Sequence, residues 1–94
     1  MIAYRKRPGM DWEEIQIDGS VAQISEEVGG CFRFVRMFKE GCIAYNPAAE
    51  SMGHPYNCRY MGTTFYGTFL VVGMDGEQIT DLILNEEARK WVLG

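Results

Sequence analysis

The spacing of apolar and polar positions changes several times along the chain, and each change marks a boundary between elements. Met1 to Tyr4 is apolar and runs into the basic Arg5-Lys6-Arg7, just ahead of Pro8-Gly9. This reads as a first strand closed by a turn. Behind the acidic stretch from Asp11, Ile15 and Ile17 share one parity, which fits a half-buried second strand or an extended approach to a helix. The period then lengthens. Val21, Ile24 and Val28 recur at three- and four-residue spacing and predict an apolar helical stripe. Ser20 and Gln23 have the spacing of a capping box, with Asp18 as an alternative acceptor for the free amides. Gly29-Gly30 ends the helix, because glycine accepts the left-handed conformation of a C-cap. A helix this short is marginal alone and requires a sheet to pack on.

Cys31 to Phe38 reads as a strand. Phe32, Phe34, Arg36 and Phe38 fall on one parity and Arg33, Val35 and Met37 on the other, so neither face is cleanly apolar. That pattern predicts a central strand with one arginine at an edge or in a site. Lys39-Glu40-Gly41 forms a turn into a return strand, Cys42 to Tyr45, which Asn46-Pro47 ends. In Ala48 to Thr64, Gly53, Pro55 and Gly62 break any long periodic element, and His54 to Tyr60 within it reads as a surface loop with some anchoring side chains. Phe65 to Val72 is the strongest strand, with Gly67 marking a bulge or a close backbone approach. Met74 to Glu77 is a turn, and Gln78-Ile79 begins a short return strand. Asn85 caps a final helix with Glu86 and Glu87 in its first turn and Arg89 and Lys90 in its last, both suited to the helix dipole. Ala88, Trp91 and Val92 are its core-facing positions. The order implies a single α+β domain over residues 1–94, a small antiparallel or mixed sheet of four to five strands packed against one or two short helices.

Composition supports a folded domain: 47% hydrophobic residues supply one core, and 23% charged residues argue against disorder. The net charge of −4 disfavours general nucleic-acid binding, whose affinity is largely phosphate neutralisation. The positive charge falls in two small groups, Arg5, Lys6 and Arg7, and then Arg33, Arg36 and Lys39. Cys31, Cys42 and Cys58 are an odd number in a chain without a signal-like start, which does not suggest a disulfide scaffold. No apolar run approaches the roughly 20 residues of a membrane span. The expectation is a cytoplasmic protein with no membrane partner.

The stretch from Ile17-Asp18-Gly19-Ser20 through Glu27-Val28-Gly29-Gly30 resembles the start of an uncharacterised domain family carried by bacterial phages, plasmids and integrative elements. In that family a strand leads into a short helix ending in a Gly-Gly pair. Strands like Phe32 to Phe38 and Ile43 to Asn46 follow, and Tyr66 to Gly73 is similar to a later segment. The resemblance runs from about Ile15 to Gly73 and implies an accessory role, against host defences or in maintenance of the element. It also matches Asn46 and Asn57 to recurring asparagines, which hold turns or touch a partner.

Candidate chemistry is sparse. His54 and Cys58, with Cys31 and Cys42, would suit zinc, but no Cys-x-x-Cys pair exists and isolated cysteines are ordinarily apolar core residues. A Cys–His site would pair His54 with Cys58 or Cys42, oriented by Asp75 or Asp81, yet no spacing forces it. Adjacent carboxylates such as Glu26-Glu27 read as solvated faces rather than an acid–base pair. Gly29-Gly30 follows a helix rather than opening one, so it is no phosphate loop. No catalytic residue, cofactor or metal ligand is assigned. Tyr56, Arg59 and Tyr60 lie together around Asn57, and Tyr and Arg are favoured at binding hot spots. Either they form a binding patch that Arg33 and Arg36 extend, or the tyrosines pin the loop and Arg59 faces water. With Asn46, these residues are the candidate partner-binding set. The expected function is a small non-catalytic protein-interaction domain, a mobile-element accessory factor or host-defence inhibitor. Its partner is another protein, or a second copy if a strong edge strand lacks cover. The alternative is a nucleic-acid-binding module using the two basic groups.

Overall fold

A computed structural model describes residues 1–38 and 40–94. The turn and basic charge assigned to Lys39 lie outside the described residues. The strands are β1 (Ile2–Lys6), β2 (Glu13–Gln16), β3 (Arg33–Phe38), β4 (Gly41–Tyr45), β5 (Tyr56–Tyr60), β6 (Thr63–Tyr66), β7 (Phe69–Asp75) and β8 (Gln78–Thr80). The helices are α1 (Val21–Val28) and α2 (Glu86–Leu93). The class is α+β, as the residue pattern predicts, with a six-stranded sheet and a separate two-stranded one.

The large sheet runs β2-β1-β7-β4-β3, with β8 on β7, and every pair is antiparallel. β7 is its centre. On one side β7 meets β4; on the other, β1 covers Phe69–Val71 and β8 covers Gly73–Asp75, end to end. A strand with neighbours on both sides and layers on both faces must be apolar throughout, which is why Phe69 to Val72 is an unbroken buried run. Its alternate residues separate two cores. Leu70 and Val72 join Ala3, Cys42, Ala44, Ile24 and Val28 beneath α1. Phe69 and Val71 join Tyr4, Ile43, Phe65, Leu82 and Val92 on the opposite face, beneath β5–β6 and α2. Gly73 makes room for the chain leaving β8: a Cβ there would lie 2.5 Å from the carbonyl oxygen of Asp81.

The local signals are largely realised. Pro8 and Gly9 (φ +73°) form a tight turn closed by Met10 N–H to Arg7 O, and β1 pairs with β2 behind it. The Ser20 hydroxyl accepts from the Gln23 amide at 3.1 Å. The return bond of the capping box goes two residues further back than expected. Gln23 Oε1 accepts from the Asp18 amide, because the Asp18 carboxylate already accepts from the Ser20 amide. Gly29 is left-handed, and the Gly30 amide reaches back to the Ser25 carbonyl to close α1. Asn85 caps α2 through the Ala88 amide.

Five expectations are corrected. Val21 is 71% exposed, so α1 buries only Ile24 and Val28. Cys31–Phe38 is not central: β3 is an edge strand, and its mixed parity reflects a strand with little cover. His54–Tyr60 is not all loop, since residues 56–60 are β5 and pair with β6. Phe65–Val72 is two strands in two sheets, broken at Gly67 (φ +69°), where the chain reverses layers. Trp91 is 59% exposed and stands edge-on to Phe38 rather than entering the core, while Val92 is buried.

Candidate partner-binding surface

The β5–β6 hairpin is built by aromatic packing on one side. Cys58 pairs with Phe65, so both face the sheet, and Phe65 stacks on Phe69 with centroids 4.4 Å apart. Tyr60 packs against Trp12 and Phe69, and its hydroxyl donates to the Val92 carbonyl at 2.7 Å. Burial, with a smaller effect from Cys58, pushes its phenol well above the usual tyrosine range. Tyr60 therefore ties the hairpin to α2. Asn57 sits at the irregularity between Tyr56 and Cys58. Its Nδ2 donates to the carbonyls of Lys6 (2.9 Å) and Gly67 (2.7 Å), which joins β1, β5 and the β6–β7 bend. Asn46 is buried as well. Its Oδ1 accepts from the Ala48 amide at 2.9 Å, forming a side-chain turn, and its Nδ2 donates to the Val28 carbonyl at the end of α1. Asn46, Asn57 and Tyr60 are thus directed inward. Arg59, opposite Thr64, and Tyr56, 58% exposed and edge-on to Tyr66, face outward.

Arg33 and Arg36 lie on β3 and are exposed, but they do not share a face. Arg33 pairs with Tyr45 and Val35 with Ile43 on the α2 side; Phe34 pairs with Ala44 and Arg36 with Cys42 on the α1 side. Sequence reasoning missed Phe34 (40% exposed) and Val35 (45% exposed) as surface residues. The signal was present, because a strand clean on neither parity is one that buries neither face. Phe34, with Val21, Ile24, Phe32 and Ile79, lines a groove of about 410 Å³ beside α1, which also has Glu77 in its wall.

The first basic group is largely engaged within the fold. Arg5 pairs with Glu27 at 2.9 Å and with Glu13 at 3.3 Å, and Arg7 pairs with Glu13 at 2.7 Å. These contacts raise the Arg5 pKa, through Glu27 first and then Glu13, and hold the Glu13 carboxyl below its ordinary value, through Arg5 first and then Arg7. Lys6 Nζ donates to the carbonyls of Arg7 and Met10.

His54 is wedged between two glycines. A Cβ on Gly29 or on Gly67 would each lie 2.7 Å from its ring, so Gly67 marks the close approach that the sequence suggested. The cleft His54 lines, about 290 Å³, includes Glu26 and Glu27 but none of Cys42, Cys58, Asp75 and Asp81. Cys42 and Cys58 lie in the two different cores, and burial raises both thiol pKa values. Among the described residues no three His, Cys, Asp or Glu side chains come together as metal ligands, and no helix is long and apolar enough to cross a membrane. What the arrangement offers is surface: an open sheet edge, an adjoining apolar groove, and the outward residues of the hairpin.

No curated protein and no solved structure matches the chain. The family described as "Domain of unknown function (DUF3846)" matches residues 1–91, further in both directions than the segments carrying the resemblance, and the chain belongs to that family.

Proposed function

We propose that this domain is a non-catalytic protein-interaction module that presents the β3 edge to its partner, with Arg59 and Tyr56 of the hairpin as secondary contacts. The observation that carries the reading is the exposure of Arg33, Phe34, Val35 and Arg36 on a strand whose outer edge has no neighbour among the described strands. Every second residue of such a strand turns its N–H and C=O groups outward, a ready template for pairing. Aromatic, aliphatic and arginine side chains together are the composition of an interface centre. The resemblance to domains of phages, plasmids and integrative elements adds that the partner is a host component, met in an accessory or defence-inhibiting role.

The test is capture of partners by the tagged protein, compared with Arg33→Glu and with Arg59→Ala. A protein retained by the parent and released by Arg33→Glu supports the reading. No retained protein, or one indifferent to both substitutions, refutes it. Neighbouring genes for phage or conjugation functions support the accessory role, and a setting of housekeeping genes opposes it. The nucleic-acid alternative draws on Arg5, Lys6 and Arg7 with Arg33, Arg36 and Lys39, and of these the Arg5 and Arg7 guanidiniums are already paired with Glu27 and Glu13. It is checked by anisotropy with labelled DNA and RNA across salt concentrations, since phosphate contacts impose a salt slope.

A further inference from the structure

We infer that β3 accepts an extended acidic peptide as an added strand, with a core motif acid–apolar–apolar–acid. The inference rests on the interaction-module reading and specifies its partner. Regular pairing of β3 with β4 runs from Arg33 to Arg36 and then shifts before Phe38. The irregularity limits the usable edge to about four residues, since bulges interrupt a ladder. A strand added beside β3 sets each of its residues on the same face as the residue opposite. Opposite the exposed Arg33 and Arg36, carboxylates are the side chains of complementary charge, one on each face of the sheet. Opposite Phe34 and Val35 the added strand requires apolar side chains. The one beside Phe34 falls on the α1 side, next to the groove of about 410 Å³ that Phe34 lines. Backbone bonds would supply affinity and the groove and arginines selectivity, the usual division in strand addition. The motif reads the same in both directions, so parallel and antiparallel peptides satisfy it equally.

Charge also decides against a second copy as the occupant. A twofold pairing keeps each face on its own side, so only residues of one face meet: centred on Phe34 it sets Arg33 against Val35 of the other copy, and centred on Val35 it sets Arg36 against Phe34. Either register places a guanidinium opposite an apolar side chain, with no carboxylate to meet it. The same two arginines that oppose a copy of this chain admit an acidic strand, on a protein whose net charge of −4 otherwise repels acidic partners.

The test uses the full chain and a fluorescein-labelled decapeptide with Glu-Val-Ile-Glu at its centre, followed by anisotropy at low salt. Saturable binding is expected, at least tenfold weaker for a Lys-Val-Ile-Lys peptide and for a Glu-Val-Ile-Glu peptide with N-methylated core amides. Arg33→Glu alone should weaken the Glu peptide, and Arg33→Glu combined with Arg36→Glu, checked for folding by circular dichroism, should lose the Glu peptide and gain the Lys peptide. Absence of saturable binding, binding indifferent to N-methylation, or no charge-swap rescue overturns the inference. So does a dimer in light scattering that Val35→Arg disperses. If these fail while a cellular protein is still captured in an Arg33-dependent way, the peptide inference falls and the interaction module stands; if that capture fails too, both fall.

Discussion

Replacing Asn57 by aspartate exchanges one donor group for an acceptor and leaves the shape unchanged. Asn57 is buried, and its Nδ2 donates to two backbone carbonyls, Lys6 at 2.9 Å and Gly67 at 2.7 Å. Each lost bond costs about 0.5–1.5 kcal/mol net, and a desolvated acceptor left facing another oxygen adds to that. The sum is about 3 kcal/mol at neutral pH. A domain of 94 residues has on the order of 5–14 kcal/mol in total, so the variant should still fold. Its melting temperature should fall by roughly 12 °C or more. The Lys6 ammonium, 3.4 Å from Oδ1, favours the new charge, but it is shared with the Arg7 and Met10 carbonyls and is the longer contact. The two carbonyls therefore prevail and hold the introduced carboxyl protonated above its ordinary pKa of about 3.9. A folded-state pKa raised in this way gives a contribution that is full below the unfolded value and is lost as pH rises through the folded one. The protonated form recovers one of the two donors. The penalty relative to the parent should thus be about 1 kcal/mol smaller at pH 4.5 than at pH 7.5, while that of Asn57→Ala stays flat. Urea unfolding followed by Trp12 fluorescence measures both, because Trp12 packs on Tyr60 of the hairpin. A penalty below about 1 kcal/mol at pH 7.5, or one without pH dependence, refutes the assignment of Asn57 as the clamp between β1 and the β6–β7 bend.

Gly67→Ala should cost about 2–3 kcal/mol, from a left-handed backbone (φ +69°) and a methyl 2.7 Å from a ring that Gly29 keeps from moving aside. His54→Ala in the same chain should return only the steric part, which a double-mutant cycle in urea would show as a coupling above about 0.5 kcal/mol. In the folded protein one thiol, the exposed Cys31, should react rapidly with Ellman's reagent, while the buried Cys42 and half-buried Cys58 react only on unfolding. Tyr60→Phe should cost about 1 kcal/mol by removing the bond to Val92. Because burial raises the Tyr60 pKa, its contribution is full below about pH 10 and is lost as pH rises beyond that; absorbance at 295 nm should show a phenol that ionises only as the fold melts.

Local chemistry was legible in the sequence, and layer assignment was not. Ser20, Gly29-Gly30 and Asn85 announce their helix ends because a cap depends only on residues within one turn. The continuous apolar run at Phe69 to Val72 announces a doubly covered strand for the same reason: its environment is written on its own residues. Gly67 shows the limit. Nothing adjacent in sequence says that the chain changes sheets there, because the groups that meet Gly67, His54 and Asn57, come from a distant segment. Tyr60 and Trp91 were equally ambiguous. An aromatic residue near a sheet can be an anchor or a surface contact, and the difference between them lies in whether Phe69 or solvent stands opposite. The candidate asparagines were chosen on a resemblance to a family pattern, and their inward bonds give each a structural role that needs no partner.

The central position of β7 also constrains the order in which the chain can assemble. β1, from the start of the sequence, and β4, from its middle, do not touch each other; each pairs with residues 69–75. The β1–β2, β3–β4 and β5–β6 pairs are local and close early, but the sheet cannot join until the chain has been made past Asp75. Non-local pairing of this kind belongs to the slower folding classes, in the millisecond-to-second range. During synthesis, at roughly 5–20 residues per second, the inner edges of β1 and β4 therefore wait together for seconds with no strand between them. Placing the most apolar strand late shortens its own exposure, since two of its three partners, β1 and β4, are already present when it emerges.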